Sequence, residues 1–391
     1  MSASPYQICK RCIIDTTVPR ARFDAEGICS YCHEQDMLDQ IYPLTPQGQA
    51  RFEAMLERIR RDGHGKPYDC VIGISGGRDS TYTLLKAKEW GLRPLAVHFN
   101  DGFGNPKAGE NMRRTTDILK VPMRTITSDW RESKDLRIAC LKASVPDLNL
   151  GCDIGVACAL FGVATAENLG YVVIGQSFRT EGIAPLEWNY LDGRYLRAIV
   201  DQFGTVPLRP WKPADPGYNL GFKELAYYTL WRRIKTVMPL YHVPYVRKDV
   251  DTIISEQVGW QNTGAHYFDD LYQSLMFYVH RVKHGIDRRR YNYSALIRSG
   301  QMDRSEAIER LKEPYVIEDP DVIRLCIKRL GLTQDDFEAM MALPPKTFMD
   351  YPNNLALLRR AKPVIALLAA LHLIPKPTYH KYCGEMAGAA P

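Results

Sequence analysis

Long apolar runs are missing from this 391-residue chain. The longest candidate, Pro363 to Ile374, falls short of the about 18 residues that a bilayer span needs, and it contains a histidine. No membrane span is expected. The opening Met1-Ser-Ala-Ser-Pro-Tyr-Gln has no apolar core, so no secretory signal is expected and the anticipated compartment is the cytosol, where thiols stay reduced. An excess of one charge is also missing. The 51 basic and 45 acidic residues leave +6, a mild surplus that suits small anions and nucleic acid alike. Neither Gly-x-x-x-x-Gly-Lys-[Ser/Thr] nor Gly-x-Gly-x-x-Gly occurs. No cysteine follows Met1 and no Gly-x-Cys-x-Gly elbow is present, so neither kind of built-in glutaminase is expected. What remains is ordinary: 45% apolar and 25% charged residues exclude a disordered or fibrous chain. The length suits two or three domains, with core enough to fold without disulfides.

The ten cysteines are unevenly placed. Cys9-Lys-Arg-Cys12 and Cys29-Ser-Tyr-Cys32 form two C-x-x-C pairs, 16 residues apart, in a spacing that matches a zinc ribbon. Each pair aims two thiolates at one point, and four sulfurs close the tetrahedral shell of a structural Zn²⁺. The same pairs can hold an iron–sulfur cluster. Gly27 suits the turn before the second pair, and segments 13–18 and 21–24 read as short strands. A module of about 35 residues needs the metal to fold. Cys140, Cys152 and Cys158 are scattered, and the apolar run around Cys158 reads as core.

Cys70-Val-Ile-Gly-Ile74 is a buried-strand pattern, followed at once by Ser75-Gly-Gly-Arg-Asp-Ser80 and a helix that ends at Gly91. Such a strand–glycine loop–helix unit turns backbone N–H groups and a positive helix end toward an anion. Ser-Gly-Gly-x-Asp-Ser resembles the PP-loop of the ATP pyrophosphatase superfamily, which includes asparagine, GMP and argininosuccinate synthetases and tRNA thiolases. That resemblance implies cleavage of ATP between its α- and β-phosphates through an adenylated intermediate. It makes Ser75, Gly76, Gly77 and Ser80 holders of the pyrophosphate, and Asp79 a Mg²⁺ ligand, since that hard cation prefers oxygen donors.

Strand and helix signals then alternate: strands at 94–99, 123–126 and 171–175, helices at 111–119 and 154–169. This argues a doubly wound parallel sheet, with ligands at the carboxyl ends of the strands. His98, Phe99, Asn100 and Asp101 stand at one such end, and Gly175, Gln176 and Glu181 follow another. The superfamily resemblance implies that these ends contact adenine and the reacting phosphate, with Glu181 as a second Mg²⁺ ligand. From Phe222 onward the pattern is helical with no further strands, and the crossing falls near Pro207 to Pro213. The expected organisation is α/β: a zinc ribbon over 1–40, a helical linker over 41–66, a PP-loop domain over 67–215 that resembles the adenine nucleotide alpha hydrolases, and a helical region over 216–391.

An aromatic and basic block follows, from Gly259-Trp260 to Arg288-Arg-Arg-Tyr291. It reads as a nucleic-acid patch, as a solvated helix end, or as a pocket for an anionic sugar, because arginine forks suit carboxylates and phosphates. The block Lys283-His-Gly-Ile-Asp-Arg-Arg-Arg290, with Ser294-Ala-Leu-Ile297, Ser299-Gly-Gln-Met302 and Arg304-Ser-Glu-Ala307, resembles the N-acetyl sugar amidotransferase family of bacterial surface-polysaccharide and nonulosonate biosynthesis. The opening Cys9-Lys-Arg-Cys-Ile-Ile-Asp-Thr-Thr17 and Phe23 to Cys32 are similar to that family's start. The resemblance runs over residues 6 to 316. Ala265-His-Tyr-Phe268 departs from the family's Lys-His-Tyr-Glu.

The resemblance implies an ATP-dependent amidotransferase of lipopolysaccharide O-antigen biosynthesis. It would convert the acetamido group of a nucleotide sugar, such as a UDP-diacetamido uronic acid, to acetamidino. Asp79, Asp101 and Glu181 would carry catalysis, and His266, Tyr267, Lys283, Arg288 and Arg289 would bind the sugar. ATP, Mg²⁺ and a structural Zn²⁺ are the implied cofactors. Ammonia would come from a separate glutaminase paired with a cyclase-like barrel. Neither membrane nor nucleic acid is an expected partner. A tRNA thiolase using the same loop for adenylation, and amidation of the sugar's carboxylate by the same route, are the rival readings.

Overall fold

The computed structural model describes residues 5–262, 269–371, 373–374 and 376–384. Helices α1 (Ser30–Ile41) and α2 (Pro46–Asp62) precede β1 (Cys70–Gly73). Then come α3 (Arg78–Glu89), β2 (Pro94–Asn100), α4 (Pro106–Leu119), β3 (Met123–Thr127), α5 (Trp130–Ala143), α6 (Leu150–Ala166) and β4 (Tyr171–Val173). The short α7 (Phe178–Glu181), α8 (Gly193–Phe203) and α9 (Phe222–Ala226) lead to β5 (Lys235–Val237). Nine helices complete the described chain: α10 (Arg247–Val258), α11 (Tyr272–His284), α12 (Arg289–Arg298), α13 (Arg304–Lys312), α14 (Pro320–Arg329), α15 (Gln334–Ala342), α16 (Leu355–Arg360), α17 (Lys362–Ala370) and α18 (Lys376–Cys383). None of the described helices is long and apolar enough to cross a membrane.

The five strands form one parallel sheet in the order β3-β2-β1-β4-β5. Val71 pairs with Leu95 on one side and with Val172 on the other. Side chains alternate between faces along each strand. Val71, Leu95, Val97 and Val172 face the main core, which α5 and α6 supply through Leu136, Ala139, Leu160 and Val163. Cys70, Ile72, Ala96 and Val173 face the opposite layer, built on Phe52, Leu56 and Ile59 of α2 and on Leu84 and Ala87 of α3. Strand order reverses between β1 and β4, where a doubly wound sheet opens its ligand crevice.

Three sequence expectations change here. Segments 13–18 and 21–24 are not strands; the cysteine knuckles leave only the isolated bridges Ile8–Asp15 and Phe23–Cys29. The stretch 41–66 is no linker, since α2 covers one face of the sheet. The region beyond 215 supplies β5, a three-residue edge strand pairing Thr236 with Val172, too short to stand out among helical signals.

Candidate functional site

The loop after β1 lies at the reversal point. Gly77 caps α3, and the loop closes on itself: the Ser75 N–H donates to Ser80 Oγ at 3.2 Å, the Gly77 N–H donates to Ser75 Oγ at 3.3 Å, and the two hydroxyls lie 3.1 Å apart. Gly76 has φ +81°, and a Cβ there would meet the Ala108 carbonyl oxygen at 2.1 Å. That carbonyl belongs to α4, so glycine is required by both conformation and contact. The Gly76 carbonyl accepts from Asn111 Nδ2 at 3.2 Å and from Trp260 Nε1 at 3.0 Å. Arg78, beside the glycines, is buried and paired with Asp251 of α10 (Nη2 to Oδ2, 2.8 Å). Helices α4 and α10 therefore hold the loop from outside the sheet. No local pattern marks Trp260 or Asp251 for that role, because their partners are 184 and 173 residues away.

Carboxyl groups gather around this loop. Asp79, in the first turn of α3, accepts from the hydroxyl of the buried Tyr245. Glu181, at the end of α7, is in hydrogen-bond contact with Asp79; burial pushes its carboxyl well above the usual range, and the Asp79 charge adds to the rise. Asp269 approaches from the other side, its carboxylate facing Gly77 and hydrogen-bonded to Ser75. Burial raises its pKa, the Ser75 bond opposes that, and Asp79 and Asp101 add to it. Gly175 touches the loop too: a Cβ there would meet the Asp79 carbonyl oxygen and Thr83 Oγ1, each at 2.7 Å. Gln176 follows it, its N–H donating to the Ile174 carbonyl at 3.1 Å.

At the end of β2 the neighbouring side chains diverge. His98 faces the loop, with Nδ1 3.1 Å from the Ile74 carbonyl, and burial lowers its pKa. Phe99 points the other way, edge-on to Tyr218 and against Gly155 of α6, so its ring is core rather than a nucleotide contact. Asn100 accepts from the Gly102 N–H at 3.1 Å. Asp101 is buried and paired with Arg137, whose guanidinium lies 4.8 Å from the ring centres of both Phe103 and Tyr272. Burial works against its charge, but Arg137 and the Phe103 N–H hold the Asp101 pKa below the usual value. Cys152 and Asp270 complete this second cluster, their ligand atoms all within 4.8 Å. Burial and the Asp101 charge raise Asp270 well above the carboxylate range. Cys140 and Cys158 are core residues, as expected.

Asp269 and Asp270 reach the site through one stitch. The bridge Gly104–Asp270 and the bonds Asn105 N to Asp269 O and Leu271 N to Phe103 O, both 2.9 Å, sew this segment to the loop after β2. His266 and Tyr267 lie outside the described residues.

Lys283, Arg288, Arg289 and Arg290 of the basic block are engaged within the protein. Arg289 donates to Asp287 and to the carbonyls of Arg310, Leu311 and Glu313, so it clamps α12 to α13 rather than binding a ligand. Lys283 donates to the Met340 carbonyl beside Leu141 and Ser144. That is the far end of α5 from Trp130, about 16 Å away at the helical rise, and opposite the crevice. Arg288 stacks over Phe277 and donates to the Tyr291 hydroxyl at 2.7 Å. Arg290 grips the cysteine module, through the Ile13 carbonyl (3.0 Å) and Asp15 (2.9 Å).

In that module Cys9, Cys12, Cys29 and Cys32 are fully buried; the sulfur pairs 9–32, 12–29 and 29–32 lie 3.6 to 3.8 Å apart, and all four sulfurs lie within 4.8 Å of one another. A tetrahedron with metal–sulfur bonds of about 2.3 Å has edges of about 3.8 Å, so the set fits one Zn²⁺-like ion and is too tight for a multi-iron cluster. N–H groups of Cys29 (3.2 Å) and Arg11 (3.4 Å) point at Cys9 Sγ, and Arg298 Nη1 lies 3.8 Å from Cys12 Sγ. These donors favour thiolates. Arg304 bonds the carbonyls of Cys9 and Cys12 at 3.0 Å, and Ser294 Oγ accepts from the Ile13 N–H at 3.2 Å. The same α12 segment continues to the acid pair: Ser299 Oγ donates to the Arg179 carbonyl at 2.9 Å, and Gln301 Nε2 to the Tyr245 carbonyl at 2.9 Å. The cysteine module thus buttresses the helix that holds Glu181 and Tyr245 in place.

Residues 263–362 match a family described as LPS biosynthesis protein WbpG-like, C-terminal domain. No curated protein matches the chain. Among solved structures it is similar to the NH3-dependent NAD synthetase from Campylobacter jejuni subsp. jejuni, at 15% identity over 76% of this chain and 97% of that one, with a TM-score of 0.31. It is also similar to the U34-tRNA thiolase NcsA from Methanococcus maripaludis, at 12% identity over 68% and 82%, with a TM-score of 0.30. NMN synthetase from Francisella tularensis gives 12% identity over 73% and 96%, with a TM-score of 0.28.

Proposed function

We propose that the chain is an ATP-dependent, AMP-forming amidotransferase of lipopolysaccharide O-antigen biosynthesis, converting the acetamido group of a nucleotide-activated N-acetyl sugar to acetamidino. The observation that carries this reading is the Ser75–Ser80 loop at the sheet's reversal point, its Gly76 backbone pinned and the first turn of its helix carrying Asp79 against Glu181. The lipopolysaccharide context is supported by the family match over 263–362.

The chemistry follows from the parts. An amide oxygen is a poor leaving group. The acetamido oxygen attacks the α-phosphorus of ATP, the α–β bridge bond breaks, and pyrophosphate departs into the loop. The N–H groups of the loop and the positive end of α3 stabilise its charge. Asp79 and Glu181 offer the hard oxygen donors that Mg²⁺ requires, and Mg²⁺ would neutralise phosphate charge there. Ammonia then attacks the imidate carbon, the C–O bond breaks, AMP leaves with the oxygen, and a proton is lost. Ammonia comes from a separate glutaminase and a cyclase-like barrel subunit. The four-cysteine module holds a structural Zn²⁺.

The test is direct. The protein is incubated with ATP, Mg²⁺, ammonium and a nucleotide-diacetamido sugar. AMP and pyrophosphate should form, and the sugar should lose about one mass unit as NH replaces O. ADP and phosphate as products would refute the loop assignment. Sulfur transfer to tRNA would identify a thiolase instead.

A further inference from the structure

Beside the nucleotide loop, on the α5 side of the sheet, a cleft of about 390 Å³ opens at the carboxyl ends of β2 and β3. Its walls are Asn100, Gly102, Thr127, Ser128, Trp130 and Arg329. The volume lies within the range of small-ligand sites. Trp130 packs against Gly102: that glycine has φ +96°, and a Cβ on it would meet the indole ring at 2.6 Å. The indole is 36% exposed and forms an aromatic floor. Arg329, the last residue of α14, places its guanidinium 5.7 Å from the Trp130 ring centre and 5.3 Å from that of Phe103. It forms no ion pair among the described residues. The carboxylates close in sequence to Trp130 and Gly102 are already engaged, Asp129 by Arg131, Glu132 by Arg209 and Asp101 by Arg137.

An arginine fixed by two aromatic faces, with its N–H fork open, is a receptor for a carboxylate or a phosphoryl group. An exposed indole beside hydroxyl and amide side chains suits the apolar face of a pyranose ring. We propose that this cleft is the acceptor subsite: the sugar ring lies on Trp130, and Arg329 binds an anionic group of the sugar nucleotide. ATP carries its charge on the phosphates, which the Ser75–Ser80 loop receives, so its adenine end has no use for the Arg329 fork. The inference rests on the proposed sugar-nucleotide acceptor and assigns its place.

Calorimetric titrations of the zinc-loaded full chain test it, with UDP-glucuronic acid, UDP-glucose and UDP as probes and a non-hydrolysable ATP analogue as the control ligand. Arg329→Ala and Trp130→Ala should each weaken UDP-glucuronic acid binding by about ten- to a hundred-fold, the range of one charge-assisted hydrogen bond. Trp130→Phe should recover most of the loss. Affinity for the ATP analogue should not change. If the sugar carboxylate is the anion, Arg329→Ala erases the preference for UDP-glucuronic acid over UDP-glucose; if the diphosphate is, all three uridine probes weaken alike. Undiminished uridine-probe binding in both alanine variants overturns the subsite alone. Loss of ATP-analogue binding in either variant, with its fold retained by circular dichroism, assigns the cleft to ATP and also overturns it. Wild-type protein that binds the ATP analogue but none of the uridine probes overturns the acceptor class itself.

Discussion

Gly76→Ala puts the loop architecture to its sharpest test. An L-residue at φ +81° carries a left-handed cost of roughly 1–2 kcal/mol. The added methyl would also sit 2.1 Å from the Ala108 carbonyl oxygen. That atom cannot swing aside like a side-chain tip, because α4 is fixed by its Asn105 cap and by the packing of Ala108 and Met112. Overpacking of this kind costs about 1–3 kcal/mol. Together the two terms predict a loss of about 2–5 kcal/mol, or nearly as much strain taken up by moving Gly76 off Asn111 and Trp260. Urea unfolding reports the first outcome and calorimetric binding of an ATP analogue the second. A matched control lies one residue from the clash: Gly109, in α4, has nothing within 4 Å of its would-be Cβ. Gly109→Ala should gain about 0.5–1 kcal/mol through helix propensity, with binding unchanged. A Gly76→Ala protein with both its urea midpoint and its nucleotide affinity intact would refute the close approach of loop and helix.

Tyr245→Phe removes the hydroxyl that donates to Asp79 and should slow AMP formation by about ten- to a hundred-fold with little change in unfolding midpoint, measured by steady-state turnover. Asp147 is buried, and burial raises its pKa from 3.8 to about 7 against the opposing bonds from the Tyr190 N–H and Tyr195 hydroxyl. Because the folded value is the higher one, its contribution is fully present below pH 3.8 and is lost as pH rises through about 7. Asp147→Asn should therefore be relatively more stable than wild type at pH 8 and show no such gain at pH 4; equal pH–stability curves would exclude the assignment. Paired Cys9→Ser and Cys29→Ser changes should abolish about one bound zinc per chain by elemental analysis and lower the thermal midpoint. Arg304→Ala should leave zinc bound but speed proteolysis between residues 5 and 30, as the module loses its hold on the Cys9 and Cys12 carbonyls.

What could be read in advance was local in sequence. The four cysteines, the Ser75–Ser80 loop and strands β1 to β4 each announce themselves within about ten residues, since knuckles, glycine turns and buried strands are short-range patterns. Long-range assembly was not legible. Asp269 and Asp270 enter the site only through the bridge to Gly104, and Tyr245 only through the β5–α10 connection. Arginines 289 and 290 have the composition of an anion pocket, yet carbonyls and Asp15 of distant segments occupy them. Charge alone does not tell a ligand fork from a docking fork. Lys283 is far from the crevice for a geometric reason: helix α11 carries it to the Met340 carbonyl at the other end of the sheet.

The docking of the cysteine module has a consequence for the order in which the chain matures. Ile13 and Ser294, bonded across the seam, are 281 residues apart. At about 5–20 residues per second, synthesis leaves the module waiting roughly a quarter of a minute to a minute for its seat to emerge. Joining ends so distant costs on the order of 5 kcal/mol in chain entropy alone. A module already ordered by a bound metal would bring its carbonyls to Arg304 prearranged and add little further ordering cost at that moment. Zinc captured early on the ribosome would thus speed the last closure of the fold, and zinc starvation would leave newly made chains with an open seam, exposed to proteases, while older molecules stay intact.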